Sequence, residues 1–391
     1  GMGLQGKAVI HDLEASELIT EILAADLFPT DRSLAEANAY LKQMGYGKTT
    51  PLRLDVLETN HLHLEFTDAG IDIVICMLPI ELALKTARAA VEAGVPFVSS
   101  NYTYDLDQLD DIARKKQVPI LPEMGLDPGI DLILGRLAID QLDTVDGMYS
   151  YGGGIPAPEN ADTSPIRYKI SWIFNRVLDV YVREARQIKD GRLHVVPGDS
   201  LFTPGNVHEI QFPGIGAVEA YPNGDAARYV DLYSLADGIR EMGRFALRWP
   251  GHAAFWRTMV ALGLLDDQPI EGSHTDHSPR TFIANCLAPK LQYRPDERDL
   301  TLIRVETWGL KDGERVKITY DCVDYRDLET GLFAMNRTVG FTSSIGALMI
   351  LEGQVPGYGV LSPVRHVPPQ LFIDQIKARG IRINAKVEVL T

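Results

Sequence analysis

The chain opens with glycines at the spacing that dinucleotide-binding proteins use. Gly1, Gly3 and Gly6 form the pattern G-x-G-x-x-G, and a helical pattern follows them directly. Glycine lacks a Cβ, so the backbone can turn tightly and approach a pyrophosphate at the helix N-terminus. The sequence therefore predicts a cofactor-phosphate site formed by Gly1, Gly3, Leu4, Gln5 and Gly6.

A carboxylate follows at the distance expected for a ribose ligand. Asp26 lies 20 residues after Gly6, at the end of the apolar run 22–25. In a nucleotide-binding unit, the second strand presents such a carboxylate to the ribose diol. A carboxylate repels a 2′-phosphate, and the next basic residue is Arg32. Asp26 therefore favours NAD over NADP.

A strand should come before these glycines, and the sequence begins at Gly1. We therefore expect a βαβ unit whose first strand is missing from this chain. Two explanations stay open: Gly1 and Met2 are a tag remnant joined to a start codon, or the natural chain has been trimmed. Without that strand we expect the unit to hold a dinucleotide poorly.

Strands and helices alternate along the first 124 residues. Short apolar runs bounded by turn residues predict strands, and apolar residues at helical spacing predict the helices between them. The predicted strands are 22–26, 52–56, 71–78, 95–99 and 118–121, and the predicted helices are 7–18, 32–44, 81–93 and 106–116. This alternation predicts an α/β fold with a Rossmann-type, doubly wound parallel sheet.

Ligands of such sheets bind at the carboxyl ends of the strands. Leu78 and Pro79 end one predicted strand and Asn101 follows the next, so we expect all three to contact the cofactor. Tyr102 either reaches the nicotinamide or the substrate, or is a half-buried aromatic. Asp127 follows the last of these strands, where its carboxylate is placed to transfer a proton. It also fits a helix N-cap, with the next residue, a proline, at the first helical position.

Beyond residue 124 the pattern changes to short alternating strands with Gly- and Pro-rich turns. Helices are predicted over 132–142 and 342–352, and an antiparallel strand pair over 301–308 and 315–320. We predict a dinucleotide-binding domain over residues 1–124, to which 340–391 partly returns. We predict an α+β substrate domain over residues 125–339.

Two further motifs carry weaker signals. The run Gly152-Gly153-Gly154 lacks the Lys-Ser/Thr of a phosphate-binding P-loop, so it predicts a tight turn or hinge. His274, Asp276 and His277 form H-x-D-H in a short, polar, loop-like stretch. No further metal-binding residue completes a ligand set nearby in the sequence. We therefore predict no metal site.

Composition excludes several classes of partner. The formal net charge is −15, which argues against nucleic acid and anionic membranes as partners. No apolar run approaches the roughly 20 residues that span a bilayer. Cys76, Cys286 and Cys322 are scattered, which fits a reducing cytosol and predicts a cytoplasmic protein.

Several motifs, in order, resemble the saccharopine dehydrogenase family. The reductase branch of that family carries G-L-D-P-G-I-D, C-G-G-L-P-A-P-E, Y-K-F-S-W, Y-P-N-R-D and R-Y-P-G. The corresponding segments here are 125–131, 151–159, 168–172, 221–223 followed by Tyr229 and Tyr233, and 248–251. Gly152 stands where those reductases have a cysteine, so any role of that thiol is lost.

The resemblance implies a nicotinamide oxidoreductase that acts on an amino-acid C–N bond. A saccharopine reductase-like enzyme and a lysine 6-dehydrogenase are alternatives, and a non-catalytic relative with an impaired cofactor site is a third. The resemblance also implies a small amino-acid substrate and a homodimer. With Asp26 it favours NAD, with NADP as the alternative.

The resemblance also implies substrate ligands in the second half of the chain. Lys169, Arg167 and Arg228 are candidates because a dicarboxylate substrate needs cations, although a solvated surface charge is the ordinary fate of such residues. Lys169, within the Y-K-I-S-W motif, is the best of them and is placed with the catalytic residues. Trp172 and Asn223 are expected to line the substrate pocket.

Overall fold

A computed structural model describes residues 1–236, 238–270 and 277–390 of the chain. The helices are α1 (Leu4–Glu14), α2 (Asp31–Met44), α3 (Leu62–Asp68), α4 (Ile80–Ala93), α5 (Asp110–Lys116), α6 (Ile130–Ile139), α7 (Phe174–Val180), α8 (His252–Ala261), α9 (Pro279–Leu287), α10 (Ala334–Leu351), α11 (Pro363–His366) and α12 (Pro369–Ala378). The strands are β1 (Ile22–Asp26), β2 (Thr49–Arg53), β3 (Val74–Cys76), β4 (Phe97–Ser99), β5 (Pro119–Leu121), β6 (Thr144–Pro156), β7 (Ala185–Lys189), β8 (Arg192–Val196), β9 (His208–Phe212), β10 (Gly216–Pro222), β11 (Glu241–Arg248), β12 (Asp299–Lys311), β13 (Glu314–Tyr325), β14 (Gly359–Val360) and β15 (Arg382–Val389).

The chain divides into two compact units. The first contains Gly1–Arg136 and Asn336–Ile381, and the second contains Leu137–Met335 and the chain from Arg382 onwards. The first unit thus extends past residue 124 to include most of α6. The C-terminal strand β15 pairs with β13 and belongs to the second unit.

Parallel strands with intervening helices build the first unit, as the sequence predicts. β1 pairs with β2, and β14, β5, β4 and β3 follow one another in a second sheet in which every pair is parallel. Among the described residues, no strand pairs with the second edge of β1 or of β3. A doubly wound sheet carries one more strand between these two positions, so its parallel strands here form two sheets.

Local sequence explains where the strands of the first unit lie. β1 has the predicted bounds, whereas β2 begins three residues earlier than predicted and includes Pro51. Proline has no N–H to donate, and an edge strand such as β2 tolerates it. Phe97, Val98 and Ile120 are fully buried, so β4 and β5 form the centre of the four-stranded sheet.

The long helix α10 returns to the first unit and packs on α1. A Cβ on Gly340 would lie 2.6 Å from the Cβ of Ala8, so glycine permits this close approach. The buried carboxylate of Asp12 accepts hydrogen bonds from the Ser344 hydroxyl and, at 2.6 Å, from Nε of Arg379. These buried bonds hold the C-terminal segment against the helix that follows the opening glycines.

The second unit is built on one large mixed sheet. Its strand order is β15-β13-β12-β6-β11-β10-β9, and only the β6–β11 pair in that row is parallel. The predicted antiparallel pair is confirmed as β12 and β13. Asp312 and Gly313 have φ values of +52° and +84°, the left-handed turn that joins tight hairpins.

The glycine run 152–154 lies inside β6, so the prediction of a turn or hinge there is wrong. A Cβ on Gly153 would lie 2.5 Å from the carbonyl oxygen of Leu247, and one on Gly154 would lie 2.5 Å from Cε of Met335. Glycine is needed at position 153 because the backbone of Leu247 packs against the central strand, whereas the Met335 methyl group near position 154 belongs to a flexible side chain that can shift.

Candidate cofactor and substrate sites

The opening glycines form a compact loop at the start of α1. Gly3 precedes the helix, which carries no side-chain N-cap and no acidic residue in its first turn. A Cβ on Gly6 would lie 1.9 Å from the carbonyl oxygen of Gly1, so only glycine fits there. Gly3 and Leu4 are exposed, and Gln5 is half-buried. The first-turn N–H groups are therefore available to a phosphate.

The structure brings Asp26 to this loop. Oδ2 of Asp26 accepts a 2.7 Å hydrogen bond from the backbone N–H of Met2, and Oδ1 accepts one of 2.8 Å from Leu27. The end of β1 and the glycine loop are thus held together. The proximity that the spacing predicts is confirmed, and contact with a ribose stays a prediction.

The predicted cofactor residues at the next strand ends lie together. Nδ2 of Asn101 donates a 3.0 Å hydrogen bond to the carbonyl oxygen of Leu78, which joins the ends of β4 and β3. Pro79 is exposed and occupies the N-cap position of α4. Leu78, Pro79 and Asn101 therefore line the carboxyl edge of the four-stranded sheet.

Tyr102 and a buried glutamate lie at the same edge. Tyr102 is half-buried, and its ring centroid is 5.2 Å from that of Tyr104. Glu123 is fully buried with φ of +60°, and its carboxylate accepts a hydrogen bond from the backbone N–H of Thr103. Its own N–H donates to the carbonyl oxygen of Asn101 at 2.9 Å. Sequence reasoning missed Glu123, whose only signal is its place two residues after the predicted strand 118–121.

Asp127 lies in a tight loop after β5. The N–H of Gly125 donates to the carbonyl oxygen of Pro128 at 3.0 Å, and Gly129 has a φ of +146°. A Cβ on Gly129 would lie 2.0 Å from the carbonyl oxygen of Gly125, so only glycine closes this loop. The half-buried Asp127 is thereby fixed at a strand end of the first unit.

The prediction that Asp127 caps α6 is wrong. The helix begins at Ile130, so Pro128 is not its first residue. Oδ1 of Asp131 instead accepts a 2.8 Å hydrogen bond from the N–H of Gly129.

Lys169 is buried in the second unit and is already paired. Its ammonium Nζ lies 2.5 Å from Oε2 of Glu297, and both side chains are almost fully buried. Burial alone would raise the pKa of Glu297, but hydrogen bonds from Lys169 and from the backbone of Arg294 lower that pKa to about 2. Sequence reasoning missed Glu297, because 128 residues separate the partners.

The other cations of the predicted substrate site have partners near them. Nε of Arg167 lies 3.0 Å from Oδ1 of Asp162. The guanidinium of Arg228 stacks at 5.4 Å from the ring centroid of Tyr229. Trp172 is 41% exposed, so it is not a core residue.

Asn223 follows β10 and lies beside Arg244, a buried arginine that was not among the predicted site residues. The N–H of Asn223 donates to the carbonyl oxygen of Arg244 at 2.9 Å, and its buried side-chain Oδ1 has no hydrogen-bond partner. Arg244 is buried, and its Nη1 lies 3.3 Å from the hydroxyl oxygen of Tyr229. Arg228 and Arg244 therefore both lie against Tyr229, and Asn223 is hydrogen-bonded to the backbone of Arg244.

The Lys169–Glu297 pair makes a testable contribution to stability. We expect Lys169→Met to lower the free energy of unfolding by about 3–5 kcal/mol, because it removes the buried cation of the pair and leaves the Glu297 carboxylate with only the mostly exposed Arg294, whose Nη2 lies 3.1 Å from Oε1. Urea denaturation measures this change. The double variant Lys169→Met/Glu297→Met should recover most of the loss, and a loss below about 1 kcal/mol in the single variant would contradict a buried pair.

Two further questions from the sequence concern a metal site and a membrane-spanning helix. His274 and Asp276 of the H-x-D-H stretch lie outside the described residues. Within residues 1–236, 238–270 and 277–390, no three His, Cys, Asp or Glu side chains are grouped as metal ligands. Over the same residues, every helix is too short or too polar to cross a membrane.

Comparison with known proteins covers nearly the whole chain. Residues 1–121 match the family model of the saccharopine dehydrogenase NADP binding domain, and residues 125–381 match that of the saccharopine dehydrogenase C-terminal domain. Alpha-aminoadipic semialdehyde synthase, mitochondrial, from Mus musculus is 27% identical over 379 residues, which cover 81% of this chain. The match covers 40% of that relative, so this chain spans well under half of its length.

Two comparisons with yeast proteins cover nearly the full length of both chains compared. Saccharopine dehydrogenase [NADP(+), L-glutamate-forming] from Saccharomyces cerevisiae is 27% identical across 99% of this chain and 98% of its own length. The apo structure of histidine-tagged saccharopine dehydrogenase (L-Glu forming) from the same yeast matches with a TM-score of 0.83, 25% identity and coverage of 99% and 98%. The fold and the family matches agree: this chain belongs to the saccharopine dehydrogenase family.

Proposed function

We propose that this chain is a nicotinamide-dependent oxidoreductase of the L-glutamate-forming saccharopine dehydrogenase type. The observation that carries the proposal is the glycine loop at α1 with Asp26 hydrogen-bonded to it. The likeness to the yeast enzyme over the full length of both chains supports the substrate class. The substrate would be a lysine-derived amino acid with a secondary amine.

The proposed reaction breaks a C–N bond in two stages. A hydride leaves the carbon that bears the secondary amine while the N–H proton is lost, and a C=N bond forms. Water then adds to this carbon and the C–N bond breaks, which yields an aldehyde and the amine of glutamate. The bound nicotinamide accepts the hydride, and the protein orients the partners and moves protons.

We propose Asp127 as the group that exchanges protons with the amine or the water, with Tyr102 beside the reacting atoms. Both follow strands at the carboxyl edge of the first unit's sheet, where ligands of such folds bind. The glycine-closed loop fixes Asp127 at this edge. Because Glu297 already holds its ammonium, we assign Lys169 a positioning role rather than direct proton transfer.

For the cofactor we propose NADP(H), against the preference for NAD that Asp26 suggests. The Saccharomyces cerevisiae relative is an NADP(+) enzyme by name, and residues 1–121 match the model of an NADP binding domain. Arg53 on β2 is the register partner of Asp26 on β1, and its Nη2 lies 2.8 Å from Oδ1 of the exposed Asp31. An arginine beside the ribose carboxylate can accommodate a 2′-phosphate. Arg53 could not be predicted from the sequence, because strand pairing and not sequence spacing brings it next to Asp26.

Arg53→Gln should therefore weaken NADPH binding by about tenfold or more, the usual value of a charge-assisted hydrogen bond to phosphate. NADH binding should stay within about twofold, because NADH lacks the 2′-phosphate. Fluorescence titration of both cofactors measures the ratio. Arg88→Gln, an exposed arginine on α4, is the control and should change neither affinity. Equal losses for NADPH and NADH in Arg53→Gln would contradict this assignment.

A substrate panel tests the proposed activity. Saccharopine, lysine, and semialdehyde plus glutamate are each incubated with both nicotinamides, and the nicotinamide absorbance is followed. Turnover of saccharopine, and of semialdehyde plus glutamate, supports the proposal. Turnover of lysine alone would indicate a lysine 6-dehydrogenase. Cofactor binding without any turnover would indicate a non-catalytic relative.

A further inference from the structure

Arg248 is the last residue of β11, and its guanidinium group has few hydrogen-bond acceptors around it. Its side chain is partly exposed, and its Nη1 donates a 2.7 Å hydrogen bond to the carbonyl oxygen of Leu247. Its Nε is buried and has no hydrogen-bond partner. The guanidinium carbon lies 5.3 Å from the ring centroid of Tyr168.

Buried aromatic side chains with polar tips surround this arginine. The hydroxyl of Tyr181 lies 2.8 Å from Nε2 of His252, and the ring of Tyr221 stacks on His252 at a centroid distance of 6.3 Å. Tyr168, Tyr181, Tyr221 and His252 are each at most 2% exposed. The Tyr181 hydroxyl interacts with both Tyr221 and Arg248, and Nδ1 of His252 is buried without a hydrogen-bond partner. We call these four residues and Arg248 the tyrosine–arginine cluster.

None of the four neighbours neutralises the guanidinium. Burial raises the pKa of Tyr168, of Tyr181 and of Tyr221, so their phenols stay protonated. Burial also lowers the pKa of His252, so the imidazole is neutral near pH 7. Arginine stays protonated throughout this range. The cluster therefore carries one positive charge and several hydroxyl donors.

The carboxylate paired with Arg248 in the sheet binds backbone groups instead of the guanidinium. Glu219 on β10 is the register partner of Arg248, and it accepts hydrogen bonds from the backbone N–H groups of Gly251 and Ala253 at the start of α8. Burial raises the pKa of Glu219, although these backbone bonds lower it in part. In the described part of the chain, Arg248 forms no ion pair of 4.0 Å or less, whereas Lys169 and Arg167 each have a carboxylate.

We infer that the tyrosine–arginine cluster binds a carboxylate of the substrate, with Arg248 as the charged ligand and Tyr221 as a hydroxyl donor. A half-buried guanidinium without a counter-ion is costly unless a ligand supplies the charge, and a carboxylate matches the planar fork of arginine. The identification of this carboxylate as part of an amino-acid substrate rests on the proposed function.

Glutarate, a simple dicarboxylate, is the probe for this site. Its dissociation constant is measured by titration calorimetry on the full chain, for the wild type and for Arg248→Gln, Arg248→Lys and Tyr221→Phe. We expect about 10- to 100-fold weaker binding in Arg248→Gln, an intermediate loss in Arg248→Lys, and about threefold in Tyr221→Phe. Arg192→Gln, an exposed arginine on β8, is the matched control and should bind glutarate as the wild type does.

Thermal unfolding separates lost binding from lost folding. Saturating glutarate should raise the melting temperature of the wild type and of Arg192→Gln, and not that of Arg248→Gln. Arg248→Lys keeps the charge, so it keeps the inference testable if the glutamine variant does not fold. Equal glutarate affinity in folded Arg248 variants and wild type, or no binding of glutarate by the wild type, would overturn the inference.

The failure of this inference differs from failure of the proposed function. If saccharopine is turned over but its KM is unchanged in Arg248→Lys and Tyr221→Phe, the function stands and the carboxylate site is refuted. If glutarate binding depends on Arg248 while no nicotinamide substrate is turned over, the site stands and the proposed function fails. A rise in KM for saccharopine with an unchanged dissociation constant for NADPH supports both.

Discussion

Asp127→Asn should lower kcat for saccharopine by about 10²- to 10⁴-fold, the range in which general acid–base groups contribute. Asparagine keeps the size and the polarity of the side chain but cannot exchange the proton. The loop that holds position 127 is closed by the backbone of Gly125, Pro128 and Gly129, so we expect no change in fold. Steady-state absorbance of the nicotinamide measures the loss.

The interpretation of Asp127 depends on two companion measurements. The dissociation constant of NADPH should stay within about twofold in Asp127→Asn, because the substitution removes a reacting group and no cofactor contact. Asp105→Asn, an exposed carboxylate in the turn after β4, should leave kcat unchanged. A kcat near the wild-type value in folded Asp127→Asn would remove this residue from the proton transfer.

Gly6→Val should abolish measurable nicotinamide binding, with an increase in the dissociation constant of at least about 100-fold. Even the first carbon of the new side chain would lie 1.9 Å from the carbonyl oxygen of Gly1, so the phosphate loop must open. The helix N-terminus would then lose the geometry that presents its N–H groups to a pyrophosphate. Fluorescence titration with NADPH and NADH gives the affinities.

Gly3→Ala and Gly205→Ala complete this experiment. A Cβ at either position meets nothing within 4 Å, so neither variant should change the free energy of unfolding by more than about 0.5 kcal/mol. Gly3→Ala should still weaken NADPH by about tenfold, because the new methyl group faces the approaching pyrophosphate. Gly205→Ala should bind as the wild type does. Wild-type affinity in Gly6→Val would place the cofactor away from this loop.

Local patterns were enough to predict several elements of the first unit, although α3, α11, α12 and β14 were not predicted. β1 has the predicted bounds, and α2 and α4 each begin one residue from theirs, because apolar periodicity and terminal glycines are properties of the segment itself. The hairpin of β12 and β13 was predictable from Asp312 and Gly313 for the same reason. The closeness of Asp26 to the glycine loop followed from its spacing alone.

Features that depend on pairing between distant segments were not predictable. The glycine run 152–154 looks like a turn locally, yet it lies inside β6 because β11 and β12 pair with that strand. Asp127 looks like a helix cap, but the loop closed by Gly129 delays the helix by two residues beyond Pro128.

The partners of charged residues were also not predictable when they are distant in the sequence. Glu297 is 128 residues from Lys169, and only the fold brings them together. Arg53 is opposite Asp26 only through strand register, and we propose that this cation favours NADP over the NAD that the local sequence suggests. The environment of Arg248 likewise arises from four segments of the chain, so its residue type alone gave no indication of its role.

The central claim is that a nicotinamide dinucleotide lies against the glycine loop beside Asp26. Titration of the chain with NADPH, followed by the change in nicotinamide fluorescence, tests it most directly. We predict a saturable signal with one cofactor per chain in the wild type and no saturable signal in Gly6→Val. Absence of saturable binding of both NADPH and NADH to the folded wild type, or equal binding in Gly6→Val, would contradict it.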